Sequence, residues 1–177
     1  MSLHLINLDA RTRALMLQEI DSDITGGILF LSQRLSLAGQ SAYPGLLIEA
    51  IKSYDDSWLA NSLRINGRMR LEEQRRKPKG GYTFAKVPIN APDTLAEGEF
   101  NRFYIRGLCL RAAEDGITEL VIYRAKDVQS PRRESEAMIG TRKNAALLLQ
   151  DIRTHPGVDT ALRLPPGPNS GLSVRLP

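Results

Sequence analysis

One cysteine, two histidines and no apolar run of bilayer length set the first limits on this chain of 177 residues. With Cys109 alone, no intramolecular disulfide and no CxxC metal knuckle can form. His4 and His155 stand far apart in sequence with no second cysteine to join them, so neither a zinc site nor another metal or cofactor is expected. No stretch approaches the ~20 apolar residues that span a bilayer. The opening "MSLHLINLDARTR" lacks the apolar core of a secretory signal, so the expected setting is the cytoplasm with no membrane partner.

The chemical motifs are missing as well. Neither GxxxxGK[ST] nor GxGxxG occurs, which removes the two common ways of cradling phosphate with glycine amides. GxSxG, HExxH and the EF-hand loop are absent. No (D/E)xK occurs, so a nuclease site of two carboxylates and a lysine lacks its closing element.

What the chain does have is ordinary globular composition, 42% apolar and 25% charged, which allows one domain with a core of its own. Its charge is uneven. Residues 64–79, "RINGRMRLEEQRRKPK", hold Arg64, Arg68, Arg70, Arg75, Arg76, Lys77 and Lys79 against Glu72 and Glu73, a local +5. Because the whole chain carries +4, everything else sums to −1. Basicity is the property of one segment, the kind of footprint that meets a polyanion.

Local signals divide the chain into a helical part (1–60), a basic hairpin (61–92) and an α+β core with a C-terminal tail (93–177). Asp9 is placed to cap a helix over 10–21, ended by "DITGG". "ILFLSQRL" (28–35) reads as a strand, with helix as the alternative. A helix opening near Pro44 and running to Tyr54 precedes a second one capped by Asp55 or Asp56, and this pair before a basic segment resembles a helix-turn-helix over 43–64. Asn66-Gly67 suits either a type I′ turn or a helix end. Strands near 62–72 and 81–89 about the "KPKGG" tip make a basic hairpin in which Tyr82 or Phe84 is available to bases or sugars.

Thr94 and Glu97 have capping-box spacing and start a helix over 95–115. Its apolar face is Phe100, Phe103, Tyr104, Gly107 and Leu108, with Gly107 admitting a close neighbour. Gly116 ends it, and "ITELVIYRA" (117–125) is a strand. Ser130, Pro131 and Gly140 mark a further helix, 144–154 another, "LPPGPNSG" a loop, and "LSVRL" an edge strand. The expected fold is therefore α+β: a long amphipathic helix on a small, mostly antiparallel sheet, with the hairpin projecting.

Few residues suggest chemistry. Arg102 and Arg106, one helical turn apart, have the spacing of an anion clamp, or of a solvated face paired with Glu99. Glu134 and Glu136 suit a hard cation or proton transfer, but read more simply as a charged first helical turn. His155 near a helix C-terminus and Cys109 between leucines read more simply as a favourable cation and a packing residue. The seven basic residues of 64–79, with Tyr82, are the main functional signal, directed at nucleic acid or at an acidic protein surface.

The phrases "TLAEGEFNRFYIRGLCLRA", "VIYRAK" and "GPNSGLSVRL" resemble stretches of proteins from phage and prophage regions, over roughly residues 78–177. The resemblance carries no catalytic residue and implies a particle-related setting. Three functions follow as expectations. The first is a non-enzymatic, self-associating structural or assembly protein, of virion type, whose partners are its own copies, other particle proteins and packaged nucleic acid. The second is a DNA- or RNA-binding protein using the 43–64 helices, and the third an enzyme acting on a phosphate-bearing substrate through Arg102, Arg106, Glu134 and Glu136.

Overall fold

The computed structural model describes residues 2–156 and 170–177. The first six residues of the expected "LPPGPNSG" loop and most of the expected tail lie outside the described residues.

Helix α1 (Ala10–Thr25) begins where Asp9 accepts a hydrogen bond from the Thr12 amide, as the sequence predicts, and runs one turn past the expected end. The expected strand over 28–35 does not form. Ile28 and Leu29 donate their amides to the Asp23 carbonyl, so the chain curls over the end of α1, and only Leu35 bridges to another segment, at Met69. Helix α2 (Leu37–Ser53) starts well before Pro44, because the Ser36 hydroxyl accepts from the Gly39 amide. Pro44 is thus inside the helix. Burial of Tyr43, Leu47, Ala50 and Ile51 on one face outweighs the hydrogen bond its nitrogen cannot make. Arg13 of α1 closes the far end, donating to the Ile51 and Tyr54 carbonyls at 2.5 and 3.0 Å.

Helix α3 (Asp56–Arg64) is capped by Asp55, which accepts from the Trp58 amide. Residues 62–64 therefore belong to a helix rather than to the hairpin. Asn66 and Gly67 then both take positive φ, 58° and 63°, while Arg68 donates its amide to the Ile65 carbonyl, which matches the type I′ turn expectation. Strands β1 (Glu72–Arg76) and β2 (Tyr82–Lys86) pair antiparallel, shorter than expected but in the expected place.

Helix α4 (Ala91–Glu114) is the axis of the molecule. It starts four residues before the expected capping box, with Pro92 in its first turn, where a missing amide hydrogen costs nothing. Thr94 instead donates its hydroxyl to the Asn90 carbonyl, and Glu97 is taken by Lys126. Nor is α4 amphipathic in place. From Phe100 to Cys109 every side chain except Asn101 is buried, because α1, α3 and α6 (Ala145–Thr154) surround it along with the sheet. The sheet has the order β4 (Arg142–Asn144), β3 (Glu119–Arg124), β5 (Leu172–Arg175), all antiparallel, with β3 central. Gly116, at φ 68°, turns α4 into β3, and Asn101 of α4 secures β5 by donating to the Leu172 carbonyl and accepting from the Ser173 hydroxyl. Strand β4 had no signal in the sequence. Helix α5 (Arg133–Met138) begins two residues after the expected Pro131, without a side-chain cap. The whole is an α+β fold.

Candidate interface on the basic hairpin

The hairpin is an arm. Its strands pack substantially only on each other, not on any other helix or strand. Its root is fixed to the body by backbone and charge. Arg70 donates its amide to the Arg34 carbonyl and its Nε to the Leu35 carbonyl, Ser36 donates to the Gly67 carbonyl, and the Arg34 Nε meets Glu73 at 2.5 Å. At the tip, Lys77 donates its amide to the Gly81 carbonyl, and Gly80 and Gly81 at φ 89° and 77° supply angles other residues resist.

The seven expected cations fall into two groups. Arg64 is held by Asp93 and Asn61; Arg68 donates to the Ser62 carbonyl; Arg70 is spent at the root; and Arg75 pairs with Glu73 at 2.6 Å. Arg34 and then Arg75 hold the Glu73 carboxyl below its ordinary range by hydrogen bonding. Arg76, Lys77 and Lys79 have no such partner among the described residues, nor does Lys86, which the sequence reading did not single out. Arg76, Lys77 and Lys79 are exposed at the outer part of the arm, and Lys86 is exposed near its root, opposite Glu72.

Strand alternation sorts the side chains. Arg76 faces Tyr82, Gln74 faces Phe84 and Glu72 faces Lys86 across the ladder, so these six share one side. Tyr82 is 63% and Phe84 73% exposed, unusual for rings that size. At the root, Leu71 and Ile89 are 87% and 97% exposed.

Arg102 and Arg106 lie elsewhere, inside the molecule. Arg106 binds Glu19 through Nε at 2.6 Å and Asp23 through both terminal nitrogens at 2.6 and 2.7 Å, with its guanidinium 4.8 Å from the centre of the Phe103 ring. Arg102 reaches Glu99 at 3.2 Å. The anions of the expected clamp are therefore the chain's own carboxylates, and neither arginine forms part of a solvated face. Arg153 of α6 also grips Glu19. Burial alone would raise the Glu19 pKa, but hydrogen bonds from Arg153 and Arg106 together outweigh it and hold it below its usual range. Glu99 has less help, and burial pushes it up to about 7 despite Arg102 beside it. The sequence reading did not pair Glu19 and Asp23 with these arginines, taking Asp23 only as part of the helix-ending "DITGG", although their i, i+4 spacing among Leu15, Met16 and Ile20 was the available signal.

Glu134 and Glu136 stand in the first turn of α5, exposed, with Glu136 3.6 Å from Arg124. Among the described residues no three histidine, cysteine or acidic side chains are arranged to hold a metal ion, and no helix is long and apolar enough to cross a membrane. Cys109 is buried, and burial pushes its thiol up to about 12, the state of a packing residue. No protein-family model matches this chain, and no curated protein or solved structure matches it either.

Proposed function

We propose that this chain is a non-enzymatic assembly protein of phage type that holds nucleic acid with its hairpin arm while associating with its own copies. The proposed setting is the host cytoplasm and the particle built there. The observation that carries this reading is the division of the arm's charge. Arg76, Lys77, Lys79 and Lys86 make no ion pair among the described residues and flank exposed Tyr82 and Phe84, whereas Arg64 and Arg75 are paired with carboxylates and Arg68 and Arg70 are spent on backbone carbonyls. Free cations on a projecting strand pair release counterions when they meet phosphates, and that release drives sequence-independent binding.

The two rival readings receive less support. Helix α3 packs Leu59, Ala60 and Leu63 inward, and its terminal Arg64 is engaged by Asp93, which leaves little of it to enter a groove. An enzyme acting through Arg102 and Arg106 would have to displace their carboxylates first.

Fluorescence anisotropy of a labelled random 20-mer across a salt series tests the proposal. Affinity is expected to fall steeply with salt, and the R76Q/K77Q/K79Q variant to reduce the log–log slope by about 2 to 3, three phosphate contacts' worth. Absence of binding at low salt, or a slope indifferent to those changes, would rule the reading out.

A further inference from the structure

We infer that the arm binds single-stranded nucleic acid in preference to duplex, with Tyr82 and Phe84 as a stacking platform. The inference rests on the nucleic-acid reading above and adds to it the form of the ligand. Tyr82 and Phe84 are two residues apart on one strand, so their rings leave the same side at about 7 Å along it. Neither ring is covered by the body, as their exposure shows, and the hairpin's strands pack substantially only on each other. The residues opposite them are Arg76 and Gln74, which put a cation and an amide beside the rings rather than apolar side chains that would bury them. Lys77 and Lys79 add exposed positive charge at the tip, and Lys86 stands toward the root, across the ladder from Glu72.

This is the arrangement a single strand requires: flat rings for unstacked bases, flanked by cations for the backbone. Duplex bases are already stacked on one another and offer these rings nothing. An acidic protein surface would satisfy the lysines, but unstacked bases are the closer match to two flat rings flanked by cations. The exposed rings therefore favour the single strand among polyanions.

The test compares (dT)20, (dA)20 and a 20-base-pair duplex by anisotropy for three proteins: the unaltered chain, Tyr82→Leu/Phe84→Leu, and R76Q/K77Q/K79Q. Leucine keeps an apolar strand residue and removes the flat ring. Melting followed by the fluorescence of Trp58, stacked on Tyr54 in the body, confirms that each variant folds. The expected result is single strands bound at least about tenfold tighter than duplex, with that margin lost in the leucine variant and its salt slope unchanged. Equal affinity for duplex and single strand, unaffected by leucine, overturns the inference while a cation-dependent slope preserves the broader reading. Competition by poly-glutamate as effective as by (dT)20 also overturns it. Failure of all three probes to bind overturns both.

Discussion

Gly107 lies where α1 and α4 come closest: a Cβ there would stand 2.8 Å from the Met16 side chain and 2.9 Å from the Met16 amide nitrogen. One contact is with backbone, so the neighbour cannot swing aside. Gly107→Ala gains about 1 kcal/mol of helix propensity, but forcing the helices apart typically costs 1–3 kcal/mol or somewhat more. Net destabilisation is expected, seen as a melting temperature lower by a few degrees; an unchanged or higher one would show that the pair relaxes freely. Glu99 raises a different matter, that of pH. It is buried against Arg102 of its own helix, with Arg106, Asp23 of α1 and Tyr43 of α2 as its other charged or polar neighbours. Among the described residues neither the Tyr43 hydroxyl nor the Arg102 Nε has a hydrogen-bond partner, so no donor besides the Arg102 terminus relieves its charge. A carboxyl whose pKa rises from 4.5 unfolded to about 7 folded binds more protons in the folded state between those values. Its contribution to stability is therefore intact below pH 4.5 and is lost as pH rises toward 7 and beyond. Asp56, also raised by burial, acts in the same direction, whereas Glu19 and Asp9, held low, act oppositely at acid pH. Glu99→Gln should be more stable than the unaltered chain at pH 8, by on the order of 1–3 kcal/mol, and lose that advantage by pH 5. Urea denaturation at the two pH values measures it, and a pH-independent difference would contradict the assignment.

The elements read correctly from the sequence were those whose ends are fixed by their own residues. Asp9, Asp55 and Asn144 each cap the helix that follows by accepting an amide three residues on, a short-range event that a sequence displays. Gly116 and Gly140 stop helices with positive φ for the same reason. The errors came where a local signal competed with packing. Thr94 and Glu97 have capping-box spacing, but extending α4 to Ala91 buries Ala91 and Pro92, and Glu97 gains Lys126 from the far side of the sheet connection. Pro44 looks like a helix start until Ser36 is weighed against it. "ILFLSQRL" has the composition of a strand but no neighbouring strand to pair with beyond the single Leu35–Met69 bridge, and pairing is what makes a strand. The candidate arm was legible, because a basic run, a glycine tip and an alternating partner are all local. Which of its cations are free was not, since Asp93, Ser62 and Leu35 reach it from other parts of the chain. The interior position of Arg102 and Arg106 was hidden for a related reason. A helix surrounded on all sides can still show polar residues at regular spacing when each is matched by a carboxylate from another helix.

At the scale of the molecule, the body and the arm obey different rules. The body closes on itself: the segment before α1 donates from Ser2 and Leu3 to Asp56, His4 gives its amide to the Ala125 carbonyl, and Asn7 accepts from Leu176, so the two ends of the described chain are tied across one core. The arm has no such closure. A two-stranded hairpin alone in water is at best marginally stable, and here both outer edges are unpaired and Leu71 and Ile89 are exposed where it leaves the body. On the proposed reading the exposed apolar residues at the root would meet a second copy, and the cations and rings toward the tip nucleic acid. Binding one is then expected to favour the other, because either partner pays part of the cost of ordering the arm. Sedimentation velocity across a hundredfold concentration range should show concentration-dependent association that Leu71→Lys/Ile89→Lys abolishes, with Trp58-monitored melting of the body unchanged. Addition of (dT)20 should shift the association to lower protein concentration in the unaltered chain. A strictly monomeric protein at every concentration, with and without the oligonucleotide, would leave the root's exposed side chains without a partner and remove self-assembly from the proposal, whatever the tip binds.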